Sequence, residues 1–258
     1  MIDLLVTDPP YNVDYEEKEK HLLKYRPNKR VEEADKTKIT NDKMTDEAFY
    51  SFLLEFYKNS YDVMKPGAAF YIWHTHKEQI NFTKGLIESG LQPKQVLIWN
   101  KNHFVLGRQD YQAKHEPCLY GWKEGAAHYF IDDRTQSTVI EDQQPDFKTM
   151  KKAELIELLE GIYADKISTT VINEDKPAKS ELHPTMKPIK LLARLIKNSS
   201  RPKDKVLDPF GGSGSTLIAC EQLNRKCYMM ELDPKYCDVI VKRWEDYTGQ
   251  KAKRIREA

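Results

Sequence analysis

KVLDPFGGSGSTLIACEQLNRKCYMME, residues 205 to 231, decides the fold. Val206 and Leu207 open an apolar run that ends in Asp208. Gly211, Gly212, Ser213 and Gly214 make a tight turn, a helical pattern follows, and a second apolar run stops at Glu231. This is strand, glycine turn, helix and strand, the unit from which open α/β sheets are built. Glu231 stands 17 residues after Gly214, close to the roughly 20-residue spacing at which a carboxylate in such a unit reaches ribose hydroxyls. The stretch therefore predicts a nucleoside-bearing cofactor. A dinucleotide fingerprint read from Gly212 and Gly214 would need glycine where Leu217 stands, and a phosphate-binding loop would need Gly-Lys-Ser/Thr, which is absent.

At the other end of the chain, Ile2 to Thr7 reads as a buried parallel strand closed by Asp8-Pro9-Pro10-Tyr11. Two prolines fix φ and remove two backbone donors, so the carbonyls at the strand end are left as acceptors. Asp8 adds a carboxylate acceptor beside them, and Tyr11 a ring on which a flat base can stack. An exocyclic amine has two hydrogens to give and needs such acceptors. Taken alone, the tetrapeptide reads as readily as a capped turn ending a strand.

Together, TDPPY (Thr7 to Tyr11) and DPFGGSG (Asp208 to Gly214) resemble the two signature motifs of the S-adenosylmethionine-dependent amino-methyltransferases of DNA. His183-Pro184-Thr185-Met186-Lys187-Pro188 resembles that family's HPTxKP box, and LDPKYCDVIVKRWEDYTG its C-terminal helix. Pro188 is placed as the first residue of the helix that follows the box. The order, with DPPY first and the glycine turn last, matches the β arrangement, and the resemblance covers nearly the whole chain. It implies an α/β, Rossmann-like class I methyltransferase fold, a mostly parallel doubly wound sheet with permuted motif order. It further implies S-adenosylmethionine as cofactor, held by Asp208, Phe210, Gly211, Gly212, Ser213, Gly214, Ser215, Thr216 and Glu231, with Thr185 and Lys187 at its methionine end. Asp8, Pro9, Pro10 and Tyr11 would then be the catalytic residues, acting on a base flipped out of double-stranded DNA, in the manner of restriction-modification enzymes. Aspartate at the first motif position points to adenine N6. The cytosine-N4 enzymes more often carry serine there, and protein-glutamine enzymes asparagine. Cytosine N4, RNA or a protein amide, and a catalytically silent DNA-binding subunit of the same fold stay open as alternatives. No metal is required.

The resemblance divides the chain into a catalytic half, 1–127, a candidate target-recognition insertion, 128–180, and a cofactor half, 181–258. Residues 14–42 form a long polar loop rich in Lys and Arg beside the base pocket, equally a DNA-facing lid or a solvated loop. In the insertion, Leu155, Ile156, Leu158, Leu159 and Ile162 make one helical stripe, which serves either recognition or a homodimer interface. Thr45 caps a helix bearing Phe49, Phe52, Leu53 and Phe56, Pro66-Gly67 ends that crossover, and strands are expected at Ala68 to Trp73, Val96 to Trp99 and Pro117 to Trp122. His74 and His76 lack a third ligand at metal-site spacing. Cys118 follows proline, as the nucleophile of cytosine-C5 enzymes does, but it opens a strand and reads as a buried structural cysteine.

Composition sets outer bounds. The 258 residues suit one α/β domain with insertions. Forty-one basic against 40 acidic residues leave a net charge of +1, so contact with DNA must come from local patches. The four cysteines lack CxxC spacing, and no apolar run approaches the ~18 residues of a membrane span. A cytosolic enzyme of a bacterium or a phage-infected host fits. A chain that opens on a central strand fits one domain of a larger protein as well as a naturally minimal enzyme.

Overall fold

A computed structural model of the protein describes residues 1–13, 43–105, 110–141, 152 and 186–255. Seven strands form one sheet in the order β5-β3-β4-β2-β1-β6-β7. They are β1 (Ile2–Thr7), β2 (Met64–Trp73), β3 (Gln92–Val105), β4 (Ala113–Trp122), β5 (Val139–Glu141), β6 (Lys205–Asp208) and β7 (Lys226–Met229). β2, β1, β6 and β7 run parallel, and β4 is antiparallel to both β2 and β3.

Alternation along β1 explains why the sheet is covered on both faces. Leu4 and Val6 look to one side and meet Leu191, Leu192, Leu195 and Ile196 of α3 (Ile189–Ser199) and Ala219 and Cys220 of α4 (Ser215–Gln222). Leu5 looks to the other and meets Phe49, Leu53, Phe56 and Tyr57 of α1 (Asp46–Val63) and Phe82 and Leu86 of α2 (Gln79–Glu88). A further helix, α5 (Pro234–Thr248), is capped by Asp233, whose carboxylate accepts from Lys235 N at 2.9 Å, and ends at Gly249 with φ +69°.

The expected helix cap at Thr45 is present, its hydroxyl accepting from Ala48 N at 3.3 Å. The boundaries differ from the sequence reading at several points. β3 and β4 run past Val96–Trp99 and Pro117–Trp122 because they pair with each other along their length, so Pro117 and Cys118 lie inside β4 and do not open it. Pro66-Gly67 lies inside β2 instead of before it. Pairing starts at Ile2 with Met64 and resumes at Leu4 with Ala69, because Pro66 has no N–H and Gly67 sits at φ +79°, so the ladder slips there. Pro188 is the cap of α3 and not its first helical residue. Within 128–180, where strand spacing is lost, Val139–Glu141 nonetheless adds a parallel strand at the β3 edge. Three residues are too few to show a period. The stripe from Leu155 to Ile162 and the polar loop 14–42 lie outside the described residues. Among the described residues no helix is long and apolar enough to cross a membrane.

Candidate active site

β1 and β6 are neighbours at the point where strand order reverses, and their C-terminal ends open on one crevice, the usual ligand position in such sheets. Thr7 Oγ1 donates to Asp208 Oδ1 at 2.9 Å across that seam, and Lys205 N donates to Asp3 Oδ2 at 2.9 Å lower down. Asp208 is buried and also accepts from Thr216 Oγ1 at 2.6 Å and Phe210 N at 3.2 Å. No cation sits on it among these partners. Burial drives its carboxyl up to about 7, against the pull of the Thr216 and Thr7 hydroxyls.

After Asp208 the chain makes the glycine turn. Gly212 and Gly214 take φ +52° and +80°, positions that favour glycine. A Cβ on Gly211 would fall 2.6 Å from Met229 Cγ and Sδ, so the turn is pressed against the end of β7. Glu231 receives Gly212 N on Oε2 at 2.7 Å and Asp233 N on Oε1 at 2.9 Å. Each of these oxygens keeps a second lone-pair site. Backbone bared of side chains, with a carboxylate at the next strand end, fits the ribose of a nucleoside cofactor. Ser213, Ser215 and Thr216 are buried, and Phe210 turns to α1, its ring 5.9 Å from Phe52 and 5.0 Å from Phe56.

Arg243, which the sequence reading passed over, ties the turn to α5. Its Nη1 donates to Ser213 O at 2.9 Å, Ser213 Oγ at 3.2 Å and Ser215 Oγ at 3.3 Å, and lies 3.5 Å from Met186 Sδ. The signal was its place on the helix, since Arg243 follows Tyr236 and Ile240 at i+7 and i+3, on the inward face.

Across the crevice, Asp8 is held from two sides. Tyr11 Oη donates to Oδ1 at 2.5 Å, and Lys187 Nζ reaches Oδ2 at 2.5 Å and Tyr11 Oη at 3.3 Å. Burial pushes the Asp8 carboxyl above its ordinary range, while Lys187 pulls it back. Lys187 is almost wholly enclosed, its side chain 6 % exposed. Its ammonium lies 5.5 Å from the Tyr11 ring centroid and 5.4 Å from that of Trp73. Burial works against its charge, yet Asp8 and Glu116 outweigh burial and hold it above the ordinary lysine value. Glu116 of β4, also missed in the sequence, stands 3.0 Å from Lys187 Nζ and pairs through its other oxygen with Lys101 of β3. Burial alone would raise Glu116, but Lys187 and Lys101 bring it down to about 2.

Pro9 is buried at the strand end, and Tyr11 sets its ring edge-on to Phe82 at 6.3 Å. Next, Asn12 (φ +54°) accepts from Met44 N at 2.6 Å and donates to Met44 O at 3.2 Å, clasping the two stems of segment 14–42. His74 is buried beside Phe82 with Nδ1 3.2 Å from Thr75 O, a packing position. Cys118 is buried in β4, its thiol pushed up by burial and so unsuited to attack. Thr185 lies outside the described residues. Thus Asp8, Tyr11 and Lys187 form one cluster, and Asp208, Gly211 to Thr216 and Glu231 another, joined by Thr7.

A glycine cradle at the switch point of a doubly wound sheet places the chain among the proteins of Rossmann-like class I fold. Within that class the chain belongs to the N6/N4 DNA methylase family, whose model matches residues 2–242. It is 24% identical over 247 residues to the type II methyltransferase M.BglII of Bacillus subtilis, a match covering 92% of this chain and 62% of that one. The chain thus spans less than two thirds of that relative. Among solved structures, the M1.HpyAVI–SAM complex shares the fold with a TM-score of 0.60 at 20% identity, over 94% of this chain and 88% of that chain. The cytosine-N4-specific PvuII DNA methyltransferase does so with a TM-score of 0.63 at 15% identity, over 94% and 79%.

Proposed function

We propose that the chain is an S-adenosylmethionine-dependent DNA methyltransferase acting on the N6 amine of an adenine flipped out of the duplex. The observation that carries this reading is the seam between β1 and β6. Thr7 bonds Asp208, so the acceptor Asp8 and the glycine cradle share one crevice although 201 positions separate the two bonded residues.

Gly211 to Gly214 and Glu231 would hold the nucleoside end of the cofactor, and Arg243 would keep the turn in shape for it. When bound, S-adenosylmethionine would supply an activated methyl carbon on a positively charged sulfur, the nitrogen lone pair forming the new bond to carbon and the carbon–sulfur pair returning to sulfur. Asp8 and the Pro9 carbonyl accept the two N–H hydrogens, which frees that lone pair and fixes the line of attack. An ionised carboxylate offers about four lone-pair sites, and Tyr11 and Lys187 occupy two of them. Among the described residues nothing else bonds Asp8, which leaves the remaining sites to the amine. Once the nitrogen has been methylated it sheds one proton, and Asp8 is its first acceptor. The Tyr11 ring stacks on the extruded base and repays part of the unstacking cost of roughly a few kcal/mol.

The test is transfer of labelled methyl from S-adenosylmethionine to unmethylated duplex DNA, followed by nucleoside analysis, with Asp8→Ala in parallel. Label in N6-methyladenine that disappears in the variant is expected. Label in N4-methylcytosine would move the target to cytosine, and cofactor binding without transfer to any DNA would overturn the reading.

A further inference from the structure

We propose that Glu116 is a positioning residue of the site: from β4 it fixes the Lys187 ammonium against Asp8 and takes a share of its charge, leaving Asp8 acceptor positions for the amine. This rests on the reading of Asp8 as the amine acceptor.

The geometry is that of one buried cation between two carboxylates. Lys187 Nζ stands 2.5 Å from Asp8 Oδ2 and 3.0 Å from Glu116 Oε2. The contact with Asp8 is an aligned hydrogen bond. That with Glu116 is not aligned: among the described residues Oε2 has no hydrogen-bond partner, and charge holds it to the ammonium. Glu116 is kept in place by its other oxygen, which pairs with Lys101 on β3, and Lys101 in turn lies 5.1 Å from the Trp99 ring centroid. The strand pair β3–β4, with Glu116 directly opposite Trp99, therefore fixes the height of Glu116 in the crevice.

Lys187 needs this second carboxylate for two reasons. An ammonium removed from water is costly unless its surroundings neutralise it, and Asp8 alone would have to do so with the same oxygens that must meet the amine. Asp8 and Glu116 also balance Lys187 and Lys101, so a nitrogen that turns positive as its bond to carbon forms meets no surplus positive charge. Replacing Glu116 by glutamine makes the cluster one charge more positive at that moment. The groups facing Lys187 are Asp8 and Tyr11 beyond β1 and Glu116 and Cys118 on β4, while Trp73 of β2 offers only its ring.

The experiment compares wild type, Glu116→Gln and Glu116→Asp in the full chain by two independent readouts. The first is the ¹⁵N NMR titration of Lys187 Nζ, assigned by Lys187→Arg. The lysine is expected to titrate at lower pH in Glu116→Gln and close to wild type in Glu116→Asp, where a charge remains. The second is steady-state methyl transfer. Glu116→Gln should lose about tenfold to a hundredfold in kcat, the range for removing a partner that orients a functional group, with an unchanged dissociation constant for S-adenosylmethionine and with Glu116→Asp partly restored. A Lys187 titration identical in wild type and Glu116→Gln overturns the proposal, as does a kcat loss that Glu116→Asp fails to relieve. Absence of methyl transfer in the wild type itself would count against the proposed function, and the NMR readout still decides whether Glu116 holds Lys187.

Discussion

Asp208 shows how one residue of the candidate site is bound up with stability. Its two oxygens are taken by Thr7, Thr216 and the Phe210 amide, so it shapes the turn while carrying an uncompensated charge. Its carboxyl stands at about 7 in the folded chain against an ordinary 3.8. Between those values the folded state binds the extra proton, so stability falls as pH rises from about 4 to about 7, by on the order of 4 kcal/mol. Glu116, brought down to about 2 from 4.5, acts in the opposite sense and only below that window, losing its contribution as pH drops from 4.5 towards 2. Urea unfolding of wild type and Asp208→Asn at several pH values separates the two. The variant is expected to lack the decline between pH 4 and 7 and to keep the acid loss below it. Tyr11 divides its work between ring and hydroxyl. On the proposed reading Tyr11→Phe keeps the stacking surface and gives up the hydroxyl's bonds to Asp8 and from Lys187, so it should lower kcat with little change in KM for DNA. Tyr11→Ala should raise that KM by roughly tenfold to a hundredfold, since base stacking on an aromatic ring contributes about 1–3 kcal/mol.

Among the elements, α5 is the one whose importance the sequence concealed. Its apolar face, Tyr236, Val239, Ile240 and Trp244, announces an ordinary amphipathic helix. A Cβ on Gly214 would lie 3.2 Å from Ile240 Cγ1, and Arg243 reaches Ser213 and Ser215 from the same face. The helix therefore backs the glycine turn with one contact surface and three hydrogen bonds from Arg243 Nη1. Arg243→Met retains much of the stem packing and removes those bonds. Hydrogen bonds from a charged group contribute about 1.5–3 kcal/mol each when intact, and solvent recovers part of this. A weakening of S-adenosylmethionine binding by roughly tenfold, with kcat at saturation preserved, is expected by titration calorimetry. The elements that could be read in advance are those with a local signature: the capped, periodic α1, the apolar β1 and the glycine turn. Glu116 and Lys101 could not be read, because a single acid and a single lysine on separate strands acquire meaning only when β3 and β4 pair. The β5 strand failed for a related reason, being an edge of three residues held by a neighbour and not by its own pattern.

The whole molecule is one sheet whose two informative ends meet in the middle. The sheet sets β1 beside β6, so the motifs at their ends face one crevice. The chemistry of the seam was not legible, because Thr7 and Asp208 each look like the last residue of an ordinary strand. Since Leu4 and Val6 pack on α3 and α4 while Val206 lies in the same core, the N-terminal and C-terminal parts of the sheet share their hydrophobic interior and should unfold together. Thr7→Val tests this coupling. It keeps the shape of the side chain but withdraws a donor from a buried carboxylate, so the chain should lose about 1.5–3 kcal/mol in a single transition. Adding S-adenosylmethionine at about 100 times its dissociation constant should return about 2.7 kcal/mol by mass action, again to the whole transition. Calorimetry that instead resolved two transitions, with only one of them moved by the cofactor, would mean that the halves are separate units which merely touch at the seam. The crevice between them would then have to assemble on binding, and Thr7→Val would weaken cofactor affinity without lowering the stability of either half.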